Sequence, residues 1–291
     1  MRLFGRYILF AVILLLLAGE KKMEQRMFLS YAPSGEKGLI YESKSDGIVQ
    51  VFVEDYSQTS QTHSTSTDTF FYLGEDSLGR KSFRIGFGEV EATVITGGEI
   101  KTDETQTELE GESLTLIVNK DWQLEEWRGL EGMGYDDAGI DRGELVANIY
   151  AAFTLVHLPD SAVYKGYTWE REFSLGQDTE RGKVFQDIKK RYKVKKFTEK
   201  DGHNCVEITL NVELVVRGEG KMTAEGEEYS YWSKGKGKGK GKLFWDYENG
   251  YLYKGSTNWL IDFEITTESA SGKVEKLTYS QETKLTNQLV E

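Results

Sequence analysis

A mainly β fold, a curved antiparallel sheet or half-barrel built from two related lobes with one central amphipathic helix, is predicted by three features of this sequence. Long segments alternate apolar and polar residues with a period of two, as strands with one buried face do. Only two prolines, Pro33 and Pro159, stand beside 31 glycines, which suits strands joined by glycine-containing turns. An aromatic fraction of 12% in 291 residues can fill a sizeable core, so the chain as a whole is not disordered.

At the N-terminus, Arg2 and Arg6 precede the apolar run "YILFAVILLLLA", Tyr7 to Ala18, which is followed at once by "GEKKMEQR". A basic start and an apolar stretch too short to span a bilayer comfortably describe residues 1–19 as an export signal or an uncleaved N-terminal anchor. The expected location is extracytoplasmic, in the periplasm or cell envelope, with membrane contact only through this segment if it is uncleaved. "LAG", Leu17 to Gly19, resembles the start of a bacterial lipoprotein box, but Glu20 stands where the lipid-bearing cysteine would be. Without a thiol there is no lipid attachment.

Residues 27–132 read as an N-terminal β lobe. Within it, "EDYSQTSQTHSTSTDT", residues 54–69, is by composition either a linker or a polar strand at a sheet edge. Leu109 to Gly129 resembles the later hairpin around residues 237–255 in its apolar strand, polar turn and return strand, a weak internal repeat that relates the two lobes.

Residues 140–291 read as a helix followed by a C-terminal β lobe. Asp141 with Glu144 makes a D-x-x-E capping box, and Leu145, Ile149, Phe153 and Val156, with Val146 and Tyr150, form a broad apolar stripe that Pro159 ends. In "HNCVEITLNVELVV" every even position from Val206 to Val216 is apolar, and the preceding "IKKRYKVKKF" places Ile188, Tyr192 and Val194 on one face. These segments predict an antiparallel hairpin with Tyr192 opposite Ile208 and Lys193 opposite Glu207. The basic cluster Lys189 to Lys196 is then a solvated face with cross-strand acidic partners.

The stretch "SKGKGKGKGKLFWDYENG", Ser233 to Gly250, poses a choice between a flexible cationic tether and a strand. A three-residue loop, Glu248 to Gly250, would pair Trp245 with Tyr253, Gly239 with Trp259, Gly237 with Ile261 and Gly235 with Phe263. Lys236 and Lys234 would then meet Asp262 and Glu264. Large side chains opposite glycines, with opposite charges on the other face, favour the strand.

Charge and composition exclude several functions. Residues 1–150 carry 14 Lys plus Arg against 26 Asp plus Glu, and the second half is balanced, so the net charge of −12 gives nucleic acid no basic field to meet. Cys205 is the one cysteine, which rules out an internal disulfide and a cysteine-rich zinc site. His203 and Cys205, at i and i+2, could hold a metal or activate a thiol, but as polar-face residues after a turn they read as simply exposed. Asp136, Asp137 and Asp141 do not keep calcium-loop spacing. With none of the common nucleophile, zinc, phosphate-loop or dinucleotide motifs present, we expect no enzyme activity, no catalytic residue, no metal and no cofactor.

Leu158, Pro159, Val163, Gly166 and Trp169 resemble the L-P-x-x-x-V-x-x-G-x-x-W core of an uncharacterised family of exported, β-rich, lipoprotein-like bacterial proteins. Phe244, Asp246, Gly250 and Leu252 match that family's later hairpin approximately. The resemblance implies location and fold more than activity, and in general shape the chain also resembles the half-barrel lipoprotein carriers of bacterial envelopes. Two roles follow. A binding protein would hold an apolar or amphipathic ligand against a concave sheet face lined by Trp169, Trp245, Tyr253 and Trp259. A structural or protein-interaction module would use its outer faces and need no pocket.

Overall fold

The computed structural model describes residues 25–53, 56–102, 108–135, 139–224 and 227–290. The export segment, Glu20, Asp136 and Asp137 lie outside these residues. Twelve strands are present: β1 (Leu39–Val53), β2 (Tyr56–Glu75), β3 (Lys81–Thr96), β4 (Glu99–Thr102), β5 (Ser113–Val118), β6 (Leu124–Arg128), β7 (Thr168–Asp178), β8 (Gly182–Lys200), β9 (His203–Ala224), β10 (Glu227–Asp246), β11 (Tyr251–Ser269) and β12 (Val274–Leu289). All pair antiparallel in one sheet, in the order β6-β5-β3-β2-β1-β12-β11-β10-β9-β8-β7, with β4 added to β3. The two halves of the chain meet where β1 pairs β12 from Tyr41↔Leu289 to Val53↔Leu277. The sheet is curved like a half-barrel and does not close, so the mainly β, half-barrel expectation holds.

The Gly-Lys run is the middle of β10, between β9 and β11, and is no tether. Gly239 faces Trp259, Gly237 faces Ile261 and Gly235 faces Phe263, with Lys236 opposite Asp262 and Lys234 opposite Glu264, as the alternation predicts. The glycines are there for space. A Cβ on Gly239 would stand 3.0 Å from the Trp259 ring, and one on Gly235 would stand 2.8 Å from Phe263. Near the turn the expectation fails by one residue: Trp245 pairs with Leu252, not Tyr253, because a bulge follows Phe244↔Lys254. The bulge keeps Trp245 inside, fully buried, and directs Tyr253 to the outer face.

The hairpin β8–β9 needs a similar correction. Tyr192 pairs with Leu210 and Lys193 with Thr209, and Glu207 faces Lys196. Its turn is the dipeptide Asp201-Gly202 with both residues at positive φ, 51° and 84°, a two-residue type that would set odd against even. A bulge between Val194 and Lys196 absorbs one residue and restores the parity that keeps both apolar faces inward.

The polar segment before residue 70 forms β2, which lies between β1 and β3 and not at an edge. The edges are β6 and β7. The two hairpins read as a repeat occupy different places, β5–β6 at one edge and β10–β11 in the interior.

The helix, α1 (Arg142–Phe153), starts as predicted, with the Asp141 carboxylate accepting from the Glu144 N–H at 2.9 Å. It ends at Phe153, six residues before Pro159, earlier than expected. The chain beyond Phe153 turns into the core: Leu155 and Val156 are buried, the Val156 N–H donates to the Tyr31 hydroxyl at 2.8 Å, and that hydroxyl donates to Val156 O. The buried face of α1 is also not the predicted stripe. Gly143, Ala147, Ala151 and Ala152 are the residues buried, because this face approaches β6 and the turn after it so closely that a Cβ on Gly143 would lie 2.9 Å from the Trp127 ring and 2.5 Å from Leu130 O. Ile149 is left exposed and Phe153 half-buried.

The segment Met27 to Ser34 straps one end of the half-barrel. Met27 bridges to Val163, Ala32 N–H bonds Gly250 O, and Ser34 N–H bonds Tyr72 O. Tyr31 at its centre packs against Tyr72 and Phe83 from one half and Trp245 from the other, with ring centroids 4.7–5.4 Å apart. This aromatic plug is where the two halves share a core.

Candidate functional site: an apolar cavity under the helix

Strand parity divides the concave face into two unlike halves. On β8–β11 the inward residues are mostly apolar, among them Tyr192, Leu210, Val212, Leu214 and Ile261. Across the middle of β12, β1 and β2 they are mostly small or polar, Leu285 apart: Thr283 faces Gly47, Gly47 faces Thr62, and Ser45 faces Ser64. Because α1 stands on its small-residue face against β5 and β6, its larger apolar side chains are left over the apolar half. The space between is a cavity of about 320 Å³. Ile149 and Phe153 form its roof, β8–β11 its floor, Leu155 and Val156 its inner end, and Gln281, Thr283 and Asn287 its polar side. Its volume lies at the small end of the range for small-molecule sites. A smaller cavity of about 60 Å³, with Tyr150 and Asp68 in its wall, shares Val156, Leu252 and Asn287 with the first.

Of the four predicted lining residues, Trp259 is in the cavity wall, where its ring meets Phe153 edge-on at 5.4 Å and joins floor to roof. Trp169 is buried beside it, stacked on Tyr192 at 4.9 Å, its indole N–H donating to His157 O at 2.8 Å. Trp245 is in the aromatic plug. Tyr253 is on the outer face, stacked on His203 at 4.2 Å with its hydroxyl donating to Asp201. The structure therefore does not bring the four together.

The residue that the sequence reading missed is Lys190. The sequence groups it with the solvated basic cluster, of which several members do pair outward: Lys189 with Glu170 and Glu172 at 2.9 and 2.8 Å, Arg191 with Glu170 at 2.5 Å. Lys190 has the even parity of Ile188 and Tyr192, points inward, and is 1% exposed. That parity was the available signal. Burial lowers its amine to about 7, and the ammonium lies 5.4 Å from the centre of the Phe153 ring.

Beside it, His157 is fully buried. Its Nε2 faces the carbonyl of Ala151 at 2.9 Å and so must carry the proton, leaving Nδ1 to accept from the Tyr192 hydroxyl at 3.3 Å. Burial, with the Lys190 charge nearby, holds it well below the usual histidine range, so it is neutral. It caps the last turn of α1 and is spent structurally.

The resemblance motif has a structural reading throughout. Leu158 and Pro159 are buried, Val163 bridges Met27, Gly166 adopts φ 93° and bonds Val194 O, and Trp169 pins His157. The later hairpin is organised by Asp246, which accepts from the N–H groups of Glu248 and Asn249, from the Asn249 amide and from His203 Nδ1. Burial works against its charge, but these donors hold its carboxyl below the usual range. Cys205, expected to be exposed, is fully buried because it pairs with Asp246 beneath Tyr251 and Tyr253, and burial pushes its thiol up to about 12. A protonated thiol is no nucleophile at neutral pH. Among the described residues no group of three or more His, Cys, Asp or Glu side chains is placed to hold a metal.

A half-barrel with an apolar interior site is thus the class that fold and cavity define. No family model matches the chain and no curated protein matches it. Among solved structures it is similar to Pseudomonas aeruginosa OccK5 (OpdH), at 6% identity and a TM-score of 0.25 over 88% of this chain and 99% of that one. It is also similar to P. aeruginosa OccK2 (OpdF), at 5% and 0.26 over 92% and 100%, and to Acinetobacter baumannii OccAB4, at 7% and 0.20 over 86% and 97%. Scores of this size carry no argument about fold or activity. The outer face itself argues against burial in lipid, since β10 presents Lys234 to Lys242 there, with Lys234 paired to Glu264 at 3.0 Å and Lys242 to Glu207 at 3.3 Å.

Proposed function

We propose that the protein is an exported, non-catalytic protein of the cell envelope that holds an apolar or amphipathic ligand in the cavity under α1. The observation that carries this reading is the cavity itself: Ile149, Phe153 and Trp259 line unfilled apolar space beside a row of polar groups. The envelope location rests on Arg2, Arg6 and the apolar run after them. In this reading the lobes 27–132 and 140–291 divide the work. The first braces the small-residue face of α1, and the second supplies the apolar floor. Trp259 is the one predicted lining residue retained as a contact, with Trp169 behind it.

Thr257 lines the cavity on β11 and is half-buried, so Thr257→Trp fills the space from a position that tolerates an aromatic. Titration with the neutral dye N-phenylnaphthylamine should give saturable emission enhancement in the wild type and little in Thr257→Trp. Equal enhancement in both proteins, or none in either, would overturn the ligand role and favour a structural or interaction module.

A further inference from the structure

We propose that the ligand is an acyl chain with a carboxylate end, received by the Lys190 ammonium at the β8 side of the cavity; this rests on the cavity being a ligand site. Lys190 lies in the cavity wall, 99% removed from solvent, and among the described residues no carboxylate or carbonyl oxygen accepts from it. A buried ammonium without an acceptor is costly unless something arrives to satisfy it.

The groups around it supply no negative charge. Its cross-strand neighbours are Val212 on β9 and Arg171 on β7, α1 gives the Phe153 ring, and the chain after α1 gives neutral His157. Arg171 is a second cation on the same face. Its Nη2 donates to Leu158 O at 3.0 Å and lies 3.7 Å from the exposed Asp160, while its buried Nε has no partner. This corner of the concave face is therefore positive and under-satisfied, next to a trough floored by Val212, Leu214 and Ile261. An anion with an apolar tail fits both properties at once.

Of the two cations only Lys190 lines the cavity, so one ammonium is presented to match one charge. A phosphate monoester, with up to about two charges and three acceptor oxygens, would leave most of its oxygens unmatched here. A carboxylate is matched by Lys190 alone, and the depressed basicity of the free amine is relieved when the anion binds.

The test uses a dansyl-labelled undecanoic acid, its primary amide and the corresponding phosphate ester, each titrated by dansyl emission into the full chain and into Lys190→Met. Lys190→Met keeps an unbranched side chain only one atom shorter and removes a buried charge, so it should fold, and a thermal melt checks that. The expected result is that the wild type binds the acid about tenfold or more tightly than the amide, as one charge-assisted hydrogen bond provides, and that Lys190→Met binds acid and amide alike. Equal binding of acid and amide by the wild type, a preference for acid that survives in Lys190→Met, or tighter binding of the phosphate ester would overturn the carboxylate assignment while leaving the cavity as a ligand site. Binding of no probe would overturn both.

Discussion

Gly239 shows how a single residue decides between a strand and a linker. Alone it weakens a strand, but opposite Trp259 it makes the room that a side chain would take. Gly239→Asp should therefore cost about 2 kcal/mol or more, since it presses a carboxylate against the indole, whereas Lys238→Asp on the exposed face should stay within about 0.5 kcal/mol. Denaturant melts of the two variants measure this, and equal midpoints would contradict the covered glycine face. The glycines were legible in the sequence because every second residue obeyed one rule. Lys190 obeys the same rule, but the five other basic residues between Lys189 and Lys196 make the cluster look uniformly solvated. Parity, not charge, was the sounder guide.

Elements were legible where one period ran without interruption and misread where a local defect shifted it. The bulge after Phe244 and the bulge at Val194/Lys196 each add one residue, and the second shows only as a change of parity from Val194 to the single residue Phe197. The helix was recognised from its cap and its period, but its orientation was not. Apolar size suggested that Leu145, Ile149 and Phe153 face the core, while close approach to Leu130 selected Gly143, Ala147 and Ala151 instead. The large residues were thereby freed to roof the cavity. Ala147→Leu should overpack the contact with β5 and β6 and cost about 1–3 kcal/mol. Ile149→Ser should change stability by less than about 1 kcal/mol and still weaken binding of the neutral dye. Stability measurements paired with dye titrations separate the two faces, and the reverse pattern would mean that α1 is seated the other way round.

For the whole molecule, the half-barrel follows from pairing β1 with β12, which puts the strands of both halves into one sheet and leaves β6 and β7 as edges. The edges are brought near each other without a ladder between them: Gln123 donates to Glu172 O at 3.3 Å, and Trp122, His157 and Phe173 pack in sequence. No sequence pattern specifies which strands of two distant hairpins will neighbour one another, so neither this closure nor the cavity could be read in advance. What could be read was the unequal chemistry of the halves, Ser and Thr in β2 against Val, Ile and Leu in β9, and in the proposed function that inequality is what makes one side of the concave face a ligand floor. Native mass spectrometry of the protein taken from its own envelope, in detergent-free buffer, tests that claim most directly. The account predicts one small molecule retained per chain in the wild type and none in Thr257→Trp; the bare chain mass for both proteins would contradict it.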